Sequence, residues 1–146
     1  MDYEQKAKEL FENGYNCAQA VIGAFAEPLG ASFSQMMALS APFGGGLGKR
    51  REVCGAVSGM LMAYGLYSGG YEIGNDEDKA ALYEKTRTLL EKFEETFGSI
   101  VCKTLLELNT PEQNMAPEKR TPAYYEKRPC ADFVAGAARI LAEEMK

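Results

Sequence analysis

After Glu52 the chain runs through residues 53–67 without a single charged side chain. Val53, Ala56, Val57, Met60, Leu61 and Tyr64 recur there at helical spacing and make one apolar stripe. The opposite face, Cys54, Gly55, Ser58, Gly59 and Met62, is small or apolar as well. A helix with no polar face belongs in the middle of a helical domain, covered on all sides. The run is too short to cross a bilayer. Gly55 and Gly59 are four apart, and each costs roughly 1 kcal/mol against alanine in a helix. Close approach of another backbone or of a bound group repays that cost, so both are candidate cofactor contacts. The expected fold is all-α: a compact bundle of about six helices in one domain, residues 1–146, with 52–67 as its buried central helix.

The other segments agree. Residues 2–13 are amphipathic, with Ala7, Leu10 and Phe11 on one side and Gly14 as terminator. Asn16 is an N-cap for a helix over 17–26, and Ser32 or Ser34 caps a short one through Met36, Met37 and Leu39. The clearest amphipathic pattern spans 76–97, where Leu82, Thr86, Leu89, Leu90, Phe93 and Phe97 face inward. Ser99 is placed to cap a helix over 100–108. A proline-rich stretch, 109–129, follows before a last helix over 130–145. A loop of that length inside a compact domain is expected to serve a function. It carries Tyr124 and Tyr125 beside Glu126, Lys127 and Arg128, and is expected to cover the cysteine site.

Charge and composition narrow the function. A net charge of −5 gives no basic surface for nucleic acid. The charged start, Met1-Asp2-Tyr3-Glu4, does not read as a signal peptide, so a cytoplasmic location and no membrane association are expected. The chain has no histidine, which removes any hydrolytic triad with an imidazole base. In the cytosol its four cysteines point to catalysis or metal binding more than to structural disulfides.

Those cysteines, Cys17, Cys54, Cys102 and Cys130, each fall in the expected first turn of a helix. Unpaired amides and the positive end of the macrodipole meet there and favour thiolate, the form that attacks disulfides and binds metal. Any one of them could equally be a small buried hydrophobe. It is the coincidence of four helix starts in one bundle that suggests a shared site. No CxxC pair is present, so convergence has to be tertiary. The expectation is that at least three sulfurs lie at bonding or ligand-sharing distance from a common centre. Cys54, preceded by Lys49, Arg50 and Arg51, is expected to be the most thiolate-like, with Cys17 as resolving partner. The run Gly44-Gly45-Gly46-Leu47-Gly48 fits neither a Walker loop nor a dinucleotide fingerprint. A nest of amides capturing an anion beside three basic residues is the weaker alternative.

Taken together, Gly14-Tyr15-Asn16-Cys17-Ala18-Gln19-Ala20-Val21, the glycine run, Cys54-Gly55-Ala56-Val57-Ser58-Gly59 and the single cysteines at 102 and 130 resemble the C_GCAxxG_C_C family. The resemblance covers residues 10–140. Where the family name spells Gly-Cys-Ala, this chain has Cys54-Gly55-Ala56. The resemblance implies a small redox-active domain with four functional cysteines, often found with oxidoreductases or transporters. Three readings follow. The first is a thiol-based oxidoreductase or electron carrier that needs no cofactor and works with a redox partner protein. The second makes Cys17, Cys54, Cys102 and Cys130 ligands of an iron–sulfur cluster or zinc. The third is a helical interaction module with packed cysteines, in which Met36, Met37, Met60 and Met62 line an adaptable contact surface.

Overall fold

The computed structural model describes residues 2–107, 115–127 and 129–146. Helix α1 (Tyr3–Glu12) starts where the Asp2 carboxylate accepts the Gln5 N–H at 2.9 Å. Helix α2 (Cys17–Ala26) starts on a reciprocal cap: Asn16 accepts the Gln19 N–H at 2.9 Å, and the Gln19 side chain accepts the Asn16 N–H at 3.1 Å. Ser32 caps α3 (Phe33–Ser40) in the simpler way. A 3₁₀ turn, Ala41–Phe43, and a glycine turn, Gly44–Leu47, lead toward α4 (Gly55–Ser68). Then come α5 (Asp76–Phe97), the single turn α6 (Cys102–Leu105), α7 (Pro122–Lys127) and α8 (Cys130–Glu144). Among the described residues there is no strand, so the fold is all-α.

The core lies where α2 crosses α4, with α1 and α8 packed alongside. Helix α2 shares the central place with α4, since eight of its ten residues are buried. The two helices touch backbone to backbone. A Cβ at Gly59 would sit 2.6 Å from the Ala18 carbonyl oxygen and 3.0 Å from Val21 Cβ. Tyr3 of α1 stacks on Phe25 of α2 at 4.3 Å between ring centres. Helix α5 is anchored mainly by its second half. Leu89 and Phe93 are buried, and Phe97 lies against Gly136 of α8, where a Cβ would collide with its ring. Lys85 and Lys92 bridge Glu144 at 3.3 and 3.1 Å, tying α5 to the end of α8. Met60 is buried, and Met36, Met37 and Met62 pack partly against the core.

Two boundaries differ from the sequence reading for one reason. The Cys54 N–H donates to the Ile100 carbonyl at 2.8 Å, and the Cys102 N–H donates to the Glu52 carbonyl at 2.6 Å. Val53 and Val101 therefore pair as an isolated antiparallel bridge. The central helix starts at Gly55 rather than at 52. The helix expected over 100–108 shrinks to α6, and its last residue, Leu108, lies outside the described residues. Ser99 does not cap it; its hydroxyl accepts the Val101 N–H at 3.0 Å and turns the chain into the bridge. Of the stretch 109–129, residues 109–114 and 128, with Asn109, Pro111 and Arg128, also lie outside the described residues. Its later part holds α7.

Candidate functional site: a cavity walled by four cysteines

All four cysteines open on one cavity of about 50 Å³. Cys17, Cys102 and Cys130 are the first residues of α2, α6 and α8, and Cys54 is the N-cap of α4. Local folding puts them there. The Asn16–Gln19 cap fixes the start of α2, the Val53–Val101 bridge sets Cys54 beside Cys102, and Pro129 precedes α8. Gly55 lets α2 close in, since a Cβ there would lie 3.0 Å from Cys17 Cβ. Gly55 is thus part of the cavity wall, while Gly59 lies one turn further along, packed on α2. Each cysteine stands as a thiol, Cys17 partly exposed and the other three buried.

Burial decides the electrostatics. Cys17 faces Cys130 in the cavity, and side-chain hydrogen bonding between them acts on the Cys17 thiol. That interaction is the first cause holding it well above the ordinary thiol range. Desolvation of its sulfur and charge on the other three cysteines push the same way, although the residue as a whole is partly exposed. Cys54 is 4% exposed, and burial pushes its thiol up to about 12. The helix-start effect is real, because the Ala56 and Val57 N–H groups favour its charged form, but desolvation outweighs them. Cys54 is therefore not the ready thiolate that the sequence suggested. The basic run also acts elsewhere. The Arg51 guanidinium donates to Cys102 Sγ at 3.8 Å, Arg50 pairs with Glu52 at 3.1 Å, and Lys49 reaches the Ala116 carbonyl.

The glycine run builds one wall. Gly45, Gly46 and Gly48 all have positive φ, and so do Leu47, Lys49 and Arg51, which glycine alone adopts without cost. Gly46 has to be glycine for space as well, since a Cβ there would lie 2.7 Å from both Cys102 Cβ and the Glu52 nitrogen. The turn is held by Arg51 and Glu52 N–H groups donating back to the Gly45 and Gly46 carbonyls at 3.1 and 2.8 Å. Its role is thus to bring backbone against Cys102.

Arg120 and Tyr124 close the cavity from the proline-rich segment. Arg120 is clamped to the α1–α2 corner: it donates to the Phe11 carbonyl at 3.2 Å and the Tyr15 carbonyl at 3.1 Å, and lies over the Phe11 ring at 4.4 Å. Of the segment expected to cover the site, Arg120 and Tyr124 line the cavity, and Tyr125 turns to Phe11 and Glu12 instead. Arg120 itself carried no signal in the sequence, being one basic residue in a polar stretch. The same holds for Leu105, Leu106 and Phe133, which line the cavity only because α6 and α8 meet there.

Convergence has a limit. Among the described residues no three Cys, His, Asp or Glu side chains are spaced to hold one metal ion. The expectation of three sulfurs at ligand distance from one centre is corrected accordingly: the four cysteines share a cavity, but among the described residues no trio is spaced to hold one metal ion. As arranged, the described cysteines are not spaced to hold a single zinc ion. No helix among the described residues is long and apolar enough to cross a membrane.

Fold and site together define a small helical protein with four free cysteines opening on one cavity. The chain belongs to the C_GCAxxG_C_C family, described as "Putative redox-active protein", whose profile matches residues 15–144. It is also similar to an uncharacterized protein of Archaeoglobus fulgidus, with 29% identity covering 100% of this chain and 97% of the relative. No solved structure matches it.

Proposed function

We propose that this is a thiol–disulfide redox protein in which Cys17 and Cys130 form the working dithiol. The observation that carries this reading is that Cys17 and Cys130 open on one cavity as the first residues of two packed helices, α2 and α8, with Cys130 the strongest influence on the Cys17 thiol and two further cysteines in the same wall. Two electrons and two protons leave the pair as a disulfide forms, and an external disulfide, from a partner protein or a small molecule, accepts them. Cys17, the least buried of the four, is the one placed to meet that acceptor, and Cys130 resolves the mixed disulfide. Cys54, protonated at neutral pH, packs behind them. In the reducing cytoplasm that the sequence suggests, the dithiol is the resting form.

Titration against glutathione redox buffers, with thiol counting and metal analysis on the same anaerobically purified sample, tests this. We expect two thiols to disappear and return reversibly with no bound metal. Stoichiometric zinc or iron, with thiols that do not respond to the buffer, would favour the ligand reading instead.

A further inference from the structure

A second, larger chamber adjoins the cysteine cavity from outside. It has a volume of about 310 Å³ and shares Asn16, Gly45, Arg51, Arg120 and Tyr124 with the inner one. Lys49, Arg51 and Arg120 line it against one carboxylate, Glu118, in a protein whose net charge is −5. Arg120 is the informative residue. It is only partly exposed, and its partners are the Phe11 and Tyr15 carbonyls, the Tyr125 hydroxyl and three aromatic faces. Every one of them is neutral. A half-buried guanidinium with no ionic partner among the described residues, facing a chamber and with N–H groups beyond the three already donated, suits an anion such as a carboxylate.

Resting on the redox reading above, we propose that the outer chamber binds the carboxylate of a small anionic disulfide, anchored by Arg120, and presents its sulfur to Cys17. The volumes favour a small molecule. The outer chamber falls at the lower end of small-ligand sites, roughly 300–1,000 Å³, and the inner one has room for a sulfur-bearing tip alone. In the reaction Cys17 Sγ gives up its proton as it attacks one sulfur of the bound disulfide. That S–S bond breaks, and one small thiol leaves with a proton. Cys130, giving up its own proton, then attacks Cys17 Sγ, forming the protein disulfide and releasing the second small thiol, which takes that proton. The protein loses two electrons and the small disulfide gains them.

The test measures the oxidation rate of the reduced protein by glutathione disulfide, which carries carboxylates, by neutral hydroxyethyl disulfide and by cationic cystamine. We expect Arg120→Gln to slow the reaction with glutathione disulfide roughly tenfold, the effect of one lost charge-assisted hydrogen bond. Because Arg120 also clamps the cover, loosening it would move all three rates together, so the anchor is read from the glutathione-disulfide rate relative to the other two, and circular dichroism reports that the variant is folded. Arg120→Lys, which keeps the charge but not the fork, retains part of the preference. Equal slowing with all three reagents, or no slowing with glutathione disulfide, overturns the anchor while leaving the dithiol intact. Failure of all three reagents to oxidise the wild-type protein overturns the redox reading itself.

Discussion

At the scale of single residues, burial outweighs local electrostatics. Cys54 has a helix-start setting and two amides at its sulfur, yet desolvation keeps it protonated to about pH 12. Because its folded value is raised above the ordinary value of 9.0, its contribution to stability is complete below pH 9 and is lost as pH climbs toward 12. The reduced wild-type protein should therefore lose stability across that window more steeply than Cys54→Ala, measured by urea unfolding at each pH. Parallel slopes would place the Cys54 sulfur in water. Glycine makes the same point through sterics. At Gly59 a methyl group meets a backbone carbonyl at 2.6 Å, which cannot move aside. Gly59→Ala should cost about 1–3 kcal/mol despite the better helix propensity of alanine, and urea unfolding reads this directly.

At the scale of elements, helices announce themselves in this sequence and the turns between them do not. The caps at Asp2, Asn16, Ser32 and Asn75 form as their residue types dictate, and three of the four cysteines open helices as the pattern implied. The bridge between Val53 and Val101 was not legible, because it depends on two segments far apart in the chain meeting edge to edge. That one contact moves Cys54 from a first turn to an N-cap and redirects Arg51 onto Cys102. Likewise the glycine run could be read as a break, but its job of admitting Cys102 is a tertiary fact. Asn16 has a double role, capping α2 and donating to the Ala41 carbonyl at 3.0 Å. Asn16→Ala should cost about 1–2 kcal/mol by urea unfolding. It should also loosen the start of α2, seen as faster alkylation of Cys17. A cost without faster alkylation would separate the cap from the site.

At the scale of the whole molecule, the bundle gathers into one small cavity four sulfurs that the sequence scatters along the chain. A core of crossed helices holds that cavity, and the segment carrying Arg120 and Tyr124 covers it. Arg120 ties the cover to the α1–α2 corner through the Phe11 and Tyr15 carbonyls. Which sulfurs face one another follows from how α2 and α8 meet, and spacing along the chain does not reveal it. The central claim is that Cys17 and Cys130 are the working pair. Partial oxidation followed by peptide mapping without reduction tests it most directly. The account predicts that the first disulfide to appear links Cys17 to Cys130, with Cys54 and Cys102 recovered as thiols. A first disulfide between any other pair, or oxidation that yields only adducts with the oxidant, would contradict it.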